Sequence, residues 1–422
     1  MLSSYLKIAV AVLLRRKFMT FVNLFGAALT LTTLVVAVAV LDGFVSPSGA
    51  QHRQAHILVV RSVLFTRSAG GYIRIANPGL PFYERYIQAL ETPDRTSYAS
   101  DFKPATAYID GRKLTPAIRR TDAAYWDILD FTVLDGRTIS TDDVEQGRFV
   151  AVVNEATARA FFSGKPAVGE RITLDSETYE VIGIVANEPE TSRLAYADVW
   201  VPFTAGLSTA ARETWFGDGL AMLYVDDPAK RGVVQEEYQR LLERFEYTPN
   251  PNLIDTAASA AESAFDMVAN DVIGRTPTAP QSWTESRAGS FVAAAVAVAL
   301  LFMALPAINM ANLNLARILE RAPEIGLRKA AGAGKPVLVG QFVFESIVLA
   351  AAGGVVAFVA APLLLGILNA TLFSYGALRI DASVLLAGLG LIIVFGALSG
   401  AYPAFRMSAL EPAAALRGGR HA

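Results

Sequence analysis

The 422-residue sequence has no cysteine and only three histidines, and 18% of its residues are charged. Without thiols there is no disulfide framework, so any domain outside the cytosol must be large enough to bury its own core. His52 and His56 stand four apart and His421 lies in the tail. No acidic or cysteine pattern completes a metal site around them, and exposed or capping roles fit better. No Gly-x-Ser-x-Gly element marks a nucleophile. Ala331-Gly332-Ala333-Gly334-Lys335 superficially suggests a phosphate loop. That loop needs glycine at position 329, which is lysine, and a hydroxyl residue at 336, which is proline. The sequence therefore predicts no enzyme, and no cofactor or metal held by this chain.

The scarcity of charge is uneven. There are 24 uncharged residues between Lys17 and Asp42, 29 between Arg287 and Arg317, and 24 between Asp381 and Arg406. Lys335 to Arg379 holds one charge, Glu345. Each stretch exceeds the ~20 apolar residues a helix needs to cross a bilayer, and helices satisfy every backbone amide internally. Ala37-Val38-Ala39 resembles a signal-peptidase site, but the apolar run before it is too long for a signal sequence.

Basic residues set the expected orientation. Lys7, Arg15, Arg16 and Lys17 precede the first span; Arg317, Arg321, Arg328, Lys329 and Lys335 follow the second; Arg406, Arg417 and Arg420 follow the fourth. Such residues stay cytoplasmic, which places both termini inside and the long segment from 42 to 287 outside. That segment has 24 basic and 34 acidic residues, which argues against a nucleic-acid partner.

The expected fold is a polytopic α-helical membrane protein with four transmembrane helices and a large α+β extracytoplasmic domain between helices 1 and 2. Residues 1–17 read as a cytoplasmic amphipathic helix on membrane lipid, 18–41 as transmembrane helix 1, and 42–287 as the outer domain, with a candidate inserted subdomain at about 101–218. Residues 288–316 read as helix 2 with a stalk, since 29 residues make a helix of roughly 43 Å against a ~30 Å core. A cytoplasmic loop (317–336), helix 3 (337–368), a short outer loop (369–382), helix 4 (383–405) and a cytoplasmic tail (406–422) complete the chain. Within the outer domain, the periodicity predicts strands at 56–60, 148–154 and 220–225, a hairpin over 171–185, and helices over 81–90, 155–162 and 229–245.

Asn309, Asn312 and Asn314 near the inner end of helix 2, and Glu345 in helix 3, are polar groups at membrane depth. Such groups normally face neighbouring helices or water, and Glu345 is shallow enough to snorkel instead. In the cytoplasmic loop, Glu320, Glu324 and Arg328 recur every four residues and would form one charged ridge on a helix. Docking of a protein and anchorage to anionic lipid both remain open for that ridge.

The run Glu320-Arg321-Ala322-Pro323-Glu324-Ile325-Gly326-Leu327-Arg328-Lys329-Ala330-Ala331-Gly332-Ala333 resembles the characteristic loop of the FtsX-like permease family. Gln341 to Ser346, Gly353-Gly354 and the tail from Tyr402 to Arg417 are similar to that family's later segments. Ala151 to Glu155, Phe161-Phe162, Pro166 to Glu170 and Tyr179 to Val185 resemble the MacB-type periplasmic core domain. Pro323 and Pro306 depart from the usual pattern, and 42–141 matches loosely.

The resemblance implies the transmembrane permease subunit of a mechanotransmission-type ABC transporter in the bacterial inner membrane. It would pair with a second permease subunit, identical or paralogous, and a cytoplasmic ABC ATPase that binds ATP and magnesium. Glu320, Arg321, Glu324, Ile325, Gly326, Arg328 and Lys329 would contact that ATPase, and a periplasmic adaptor is a further candidate partner. The expected work is export or extraction of a hydrophobic or peptide-like substrate. Activation of a periplasmic partner without transport, and lipoprotein release, are the alternatives.

Overall fold

The computed structural model describes residues 17–46, 49–68, 70, 73–109, 111–249, 253–275, 280–320, 327, 334–371, 375 and 378–408. Its contacts define two units. One comprises Met1–Asp42, Ala293–Leu372 and Leu378–Ala422; the other comprises Gly43–Val292 and Phe373–Ala377.

The second unit is built on a ten-stranded mixed sheet. Its order runs Ile57–Val60, Gly219–Tyr224, Arg95–Ser100, Ala117–Thr121, Val199–Pro202, Val150–Asn154, Glu177–Val185, Arg171–Leu174. Lys103–Pro104 adds to Ala117–Thr121, and Val133–Gly136 adds to Glu177–Val185. The apolar runs Ile57–Val60, Val150–Asn154 and Val199–Pro202 are buried along their full length, as strands covered on both faces must be. Arg171–Leu174 alternates exposed and buried residues, as suits a sheet edge with one wet face. The strands between 101 and 218 continue the sheet of the flanking strands. The junction is narrow, with Ala99 opposite Thr121 as the paired position. A smaller sheet orders Phe216–Gly217, Ile73–Pro78, Val63–Thr66 and Thr256–Ala258.

Local signals account for several helices. Asn154 caps Glu155–Phe162 by accepting from the Thr157 amide at 2.7 Å, and Ser163 ends it at φ 52°. Asp227 caps the turn Pro228–Lys230 that leads into the helix Arg231–Leu242. The segment predicted as a helix over 81–90 is helical over 80–87, opening as an α-helical turn, Leu80–Phe82, and widening into a π-helix, Tyr83–Ile87. Phe82, Tyr83, Tyr86 and Ile87 are all buried. They stand at i, i+1, i+4 and i+5, the spacing of one helix face, which is why the segment turns one side into the core.

Three apolar clusters fill this unit. Trp200, Tyr125, Trp126 and Phe131 centre the first; Phe65, Phe82, Trp215 and Phe245 the second; Tyr179, Val181 and Ile172 the third. The first takes Ile57 and Ala99 from one side of the narrow junction and Tyr125 and Trp200 from the other, so the two halves share a core.

The first unit consists of the helices Lys17–Val45, Ala288–Glu320, Lys335–Thr371 and Ala382–Ser408, the first and second of which extend into the other unit. Among the described residues, Leu24–Val45 and Ser346–Thr371 are long and apolar enough to cross a bilayer, while the apolar stretches Ala288–Ala304 and Ala382–Ala397 are shorter. Thr30, Thr32 and Thr33 each return a hydroxyl hydrogen bond to the carbonyl four residues back, which satisfies them within the helix. Ala27, Leu31, Met303, Ala350, Ile392 and Phe395 form the shared core. The bundle's outer surface is also apolar: Leu301, Leu363 and Leu386 are each about 70% exposed, at 69%, 69% and 70%. Asn369 closes the connection to the fourth helix with two 2.9 Å bonds to the backbone of Leu378. The N-terminal amphipathic segment and the tail beyond 408 lie outside the described residues.

Candidate functional site

The residues singled out from sequence for coupling fall largely outside the described set. Glu320 ends the helix Ala288–Glu320, while Arg321, Glu324, Ile325, Gly326, Arg328 and Lys329 lie outside the described residues. Asn309, Asn312 and Glu345 lie on the helices Ala288–Glu320 and Lys335–Thr371, and their side chains are outside the described residues. His52 makes an exposed contact of 3.4 Å with Asp130, and His56 bonds the Val225 carbonyl at 2.9 Å.

The described chemistry of interest lies in the outer unit, beside the narrow junction of the large sheet. In Arg95–Ser100 the alternating geometry puts Tyr98 and Ser100 on one face. Tyr98 donates to the Pro78 carbonyl at 3.2 Å. Its hydroxyl occupies the space a Cβ on Gly219 would need, 2.3 Å away, so only glycine fits opposite it. Phe216 pairs with Pro78 across the small sheet and carries the Arg74 guanidinium over its ring at 4.2 Å. Phe203 meets Tyr98 edge to face at 5.7 Å.

These rings, with Leu80, Leu207 and Arg120, bound a cleft of about 170 Å³. Arg119 and Arg120 are neighbours on one strand, so they point to opposite faces. Arg119 is fully buried and donates to the carbonyls of Ser100, Arg193 and Tyr196. Arg120 lines the cleft, donates to the Ala205 carbonyl and pairs with Glu177 at 3.3 Å. Glu177 also accepts from the Tyr179 hydroxyl. Burial first, and then that carboxylate, push Tyr179 above the ordinary phenol range. Tyr98 is raised by burial and by the nearby Asp218 charge, so both phenols stay neutral donors. Asp218 itself pairs with Lys103 at the cleft. The surroundings are therefore largely apolar walls with two ion pairs, Arg120–Glu177 and Lys103–Asp218.

A second polar cluster holds the segment that leads into the helix beginning at Ala288. Glu262, 2% exposed, pairs with Arg61 at 3.1 Å and with Arg275, and accepts from Asn270 at 2.8 Å. Arg61 and Arg193 bracket Asp271 at 2.6 and 2.5 Å. Burial raises Asp271, but the two guanidinium groups outweigh it and hold its carboxyl below the usual range. Burial and the charges of Arg61 and Arg287 bring Arg275 down to about 10. Among the described residues, nothing here has nucleophile–base geometry, and the network fixes the chain through ion pairs.

The cleft was not visible in the sequence. Its only local traces are the Arg119-Arg120 pair in an alternating strand and the Gly217-Asp218-Gly219 run, neither of which indicates a cavity.

Comparison with known proteins locates the chain. A family profile for the MacB-like periplasmic core domain matches residues 20–244, and one for the FtsX-like permease C-terminal region matches 296–412. The "Macrolide export ATP-binding/permease protein MacB" of Bdellovibrio bacteriovorus is 26% identical over 295 residues, covering 70% of this chain and 42% of the relative. The protein of the same name from Azoarcus sp. is 24% identical over 417 residues, covering 93% and 57%. The "Uncharacterized ABC transporter permease YknZ" of Bacillus subtilis is 23% identical over 300 residues, covering 69% and 68%. The chain thus spans about half the length of the MacB relatives it matches.

Proposed function

Because the chain belongs to the MacB/FtsX-like family of ABC transporter permeases, we propose that it is a mechanotransmission subunit with four membrane-spanning helices and both termini in the cytoplasm. It is an inner-membrane protein with a large periplasmic α+β domain. The observation that carries the reading is that the two family profiles match in sequence order, 20–244 and then 296–412, on either side of the stretch leading into the second long helix.

On this reading a separate ATPase chain binds ATP and magnesium, and its closure moves the helices of two paired permease subunits. The movement reaches the periplasmic domains and drives export or extraction of a hydrophobic or peptide-like substrate. Glu320, Arg321, Glu324, Ile325, Gly326, Arg328 and Lys329 form the ATPase-docking surface. Mixed charges at fixed spacing support docking to a protein over simple lipid anchorage, which would need basic residues alone. Asn309, Asn312 and Glu345 make polar contacts between helices within the bundle.

Charge reversal tests the docking role. Glu324→Lys and Arg328→Glu, made singly, leave a partner charge unmatched and should weaken ATPase association by about 2–5 kcal/mol where the pair is buried. Co-purification of the complex and its ATPase rate report the loss. Normal association and transport in both variants would move the contact to the N-terminal segment or the tail.

A further inference from the structure

The cleft beside Tyr98 and Arg120 goes beyond the transport reading and stands without it. Its walls are fixed before anything enters: Tyr98 is tied to Pro78, Phe203 stands against Tyr98, and Phe216 is held under Arg74. Preformed apolar walls with a few placed polar groups are the usual make-up of a small-molecule site, and such rigidity lowers the cost of binding. The volume limits the occupant. An engineered apolar cavity of about 150 Å³ takes benzene, so about 170 Å³ takes one ring and a small substituent.

Arg120 supplies the polar end. A guanidinium has five N–H donors. One bonds Ala205, one bonds Glu177 and one faces the Tyr179 hydroxyl, which is fewer than the five donors it carries. Asp218 is neutralised by Lys103, so it presents no bare negative charge to repel an acid. The rings in turn offer faces and edges for offset or edge-to-face contact with an aromatic guest.

We infer that this cleft of the periplasmic domain binds a small aromatic acid, with the ring among Tyr98, Phe203 and Phe216 and the carboxylate on Arg120. A flexible long-chain amphiphile would leave most of its length outside this volume, and the Arg120 cation disfavours a metal ion.

The test uses the full chain in lipid nanodiscs, without ATPase, and two probes of matched shape, phenylacetate and phenylacetamide. Saturation-transfer NMR and a fluorescence titration that includes Trp215, between cleft residues Thr214 and Phe216, report binding. Phenylacetate should bind wild type saturably. Leu207→Trp, at the half-buried rim, should abolish binding by filling the space. Arg120→Gln should weaken phenylacetate about tenfold, the effect of one charge-assisted hydrogen bond, and change phenylacetamide much less. Because Leu207→Trp changes only an apolar side chain and leaves the Leu207 amide on the Thr204 carbonyl, its variant remains informative even if Arg120→Gln disturbs the Glu177 contact. Equal signals from wild type and Leu207→Trp would mean partition into lipid only and would overturn the site. Equal loss of both probes in Arg120→Gln would overturn the assignment of an acid.

Discussion

The two units of this chain are held together by opposite means. The periplasmic unit depends on large side chains: Trp200, Tyr125, Phe65 and Phe82 are fully buried, and the buried acids Glu262 and Asp143 are met by arginines. The membrane unit buries Leu31, Met303 and Phe395 but brings its helices together through small residues. Gly396 lies so close to the third helix that a Cβ there would come within 2.7 Å of the Ile347 backbone, and Ala27, Ala350 and Ala357 fill its core. The difference follows from the solvent. In water, burying a large ring is strongly favourable, whereas in lipid a leucine gains little by leaving the tails, and close backbone approach takes over. The membrane unit also leaves many large apolar side chains exposed, among them Leu301, Leu363 and Leu386.

Shrinking a side chain should therefore damage one unit, and enlarging one should damage the other. The largest effect is expected from Trp200→Ala. Trp200 packs on Trp126 and Phe131 and donates to the Tyr125 hydroxyl at 3.3 Å. Its loss should cost about 3–5 kcal/mol and raise amide exchange across the periplasmic strands while leaving the membrane helices protected. Exchange rising equally in both units would show that they unfold as one. Next comes Gly396→Leu, an overpacking change of about 1–3 kcal/mol that should lower the melting temperature of the detergent-solubilised chain through the membrane unit. Unchanged exchange in the third and fourth helices would remove close approach as the basis of their packing.

The smallest effect concerns pH and only the periplasmic unit. Glu188 is 3% exposed, and its two carboxylate oxygens receive the Ala50 amide at 3.1 Å. Burial pushes it up to about 7 from 4.5. Between those values the folded chain keeps a proton that the unfolded chain has released, so stability falls as pH rises through the window. Glu188→Gln should abolish that slope and be more stable than wild type at pH 8 by about 1–3 kcal/mol, while matching it near pH 4. Thermal melts across pH decide this. A variant that is no more stable at pH 8 would mean the carboxylate is solvated or paired.

Legibility in the sequence differed by element. Val150–Asn154, Glu155–Phe162 and the hairpin Arg171–Leu174 with Glu177–Val185 were readable because a local apolar period and an asparagine cap decide them. The helix expected over 81–90 was readable too, but its widening to a π-helix over Tyr83–Ile87 was not, since that segment packs on Phe65, Trp215 and Phe245, far away in sequence. The cleft was invisible for the same reason. Tyr98, Arg120, Phe203 and Phe216 share no spacing, and only strand order brings them together.

The sequence by itself determined where apolar runs replace charged ones, which family motifs occur and in what order, and the lack of local catalytic or phosphate-binding patterns. Those are properties of neighbouring residues, legible because hydrophobicity and helix length act over one segment. The tertiary structure alone decided that Arg119 is buried on three carbonyls while Arg120 faces a cleft, and that Glu188 lies in a core that opposes its charge. It also decided that Gly219 and Gly396 must lack side chains. Each of these depends on which distant strand or helix arrives opposite, and burial and electrostatics are set by those non-local neighbours.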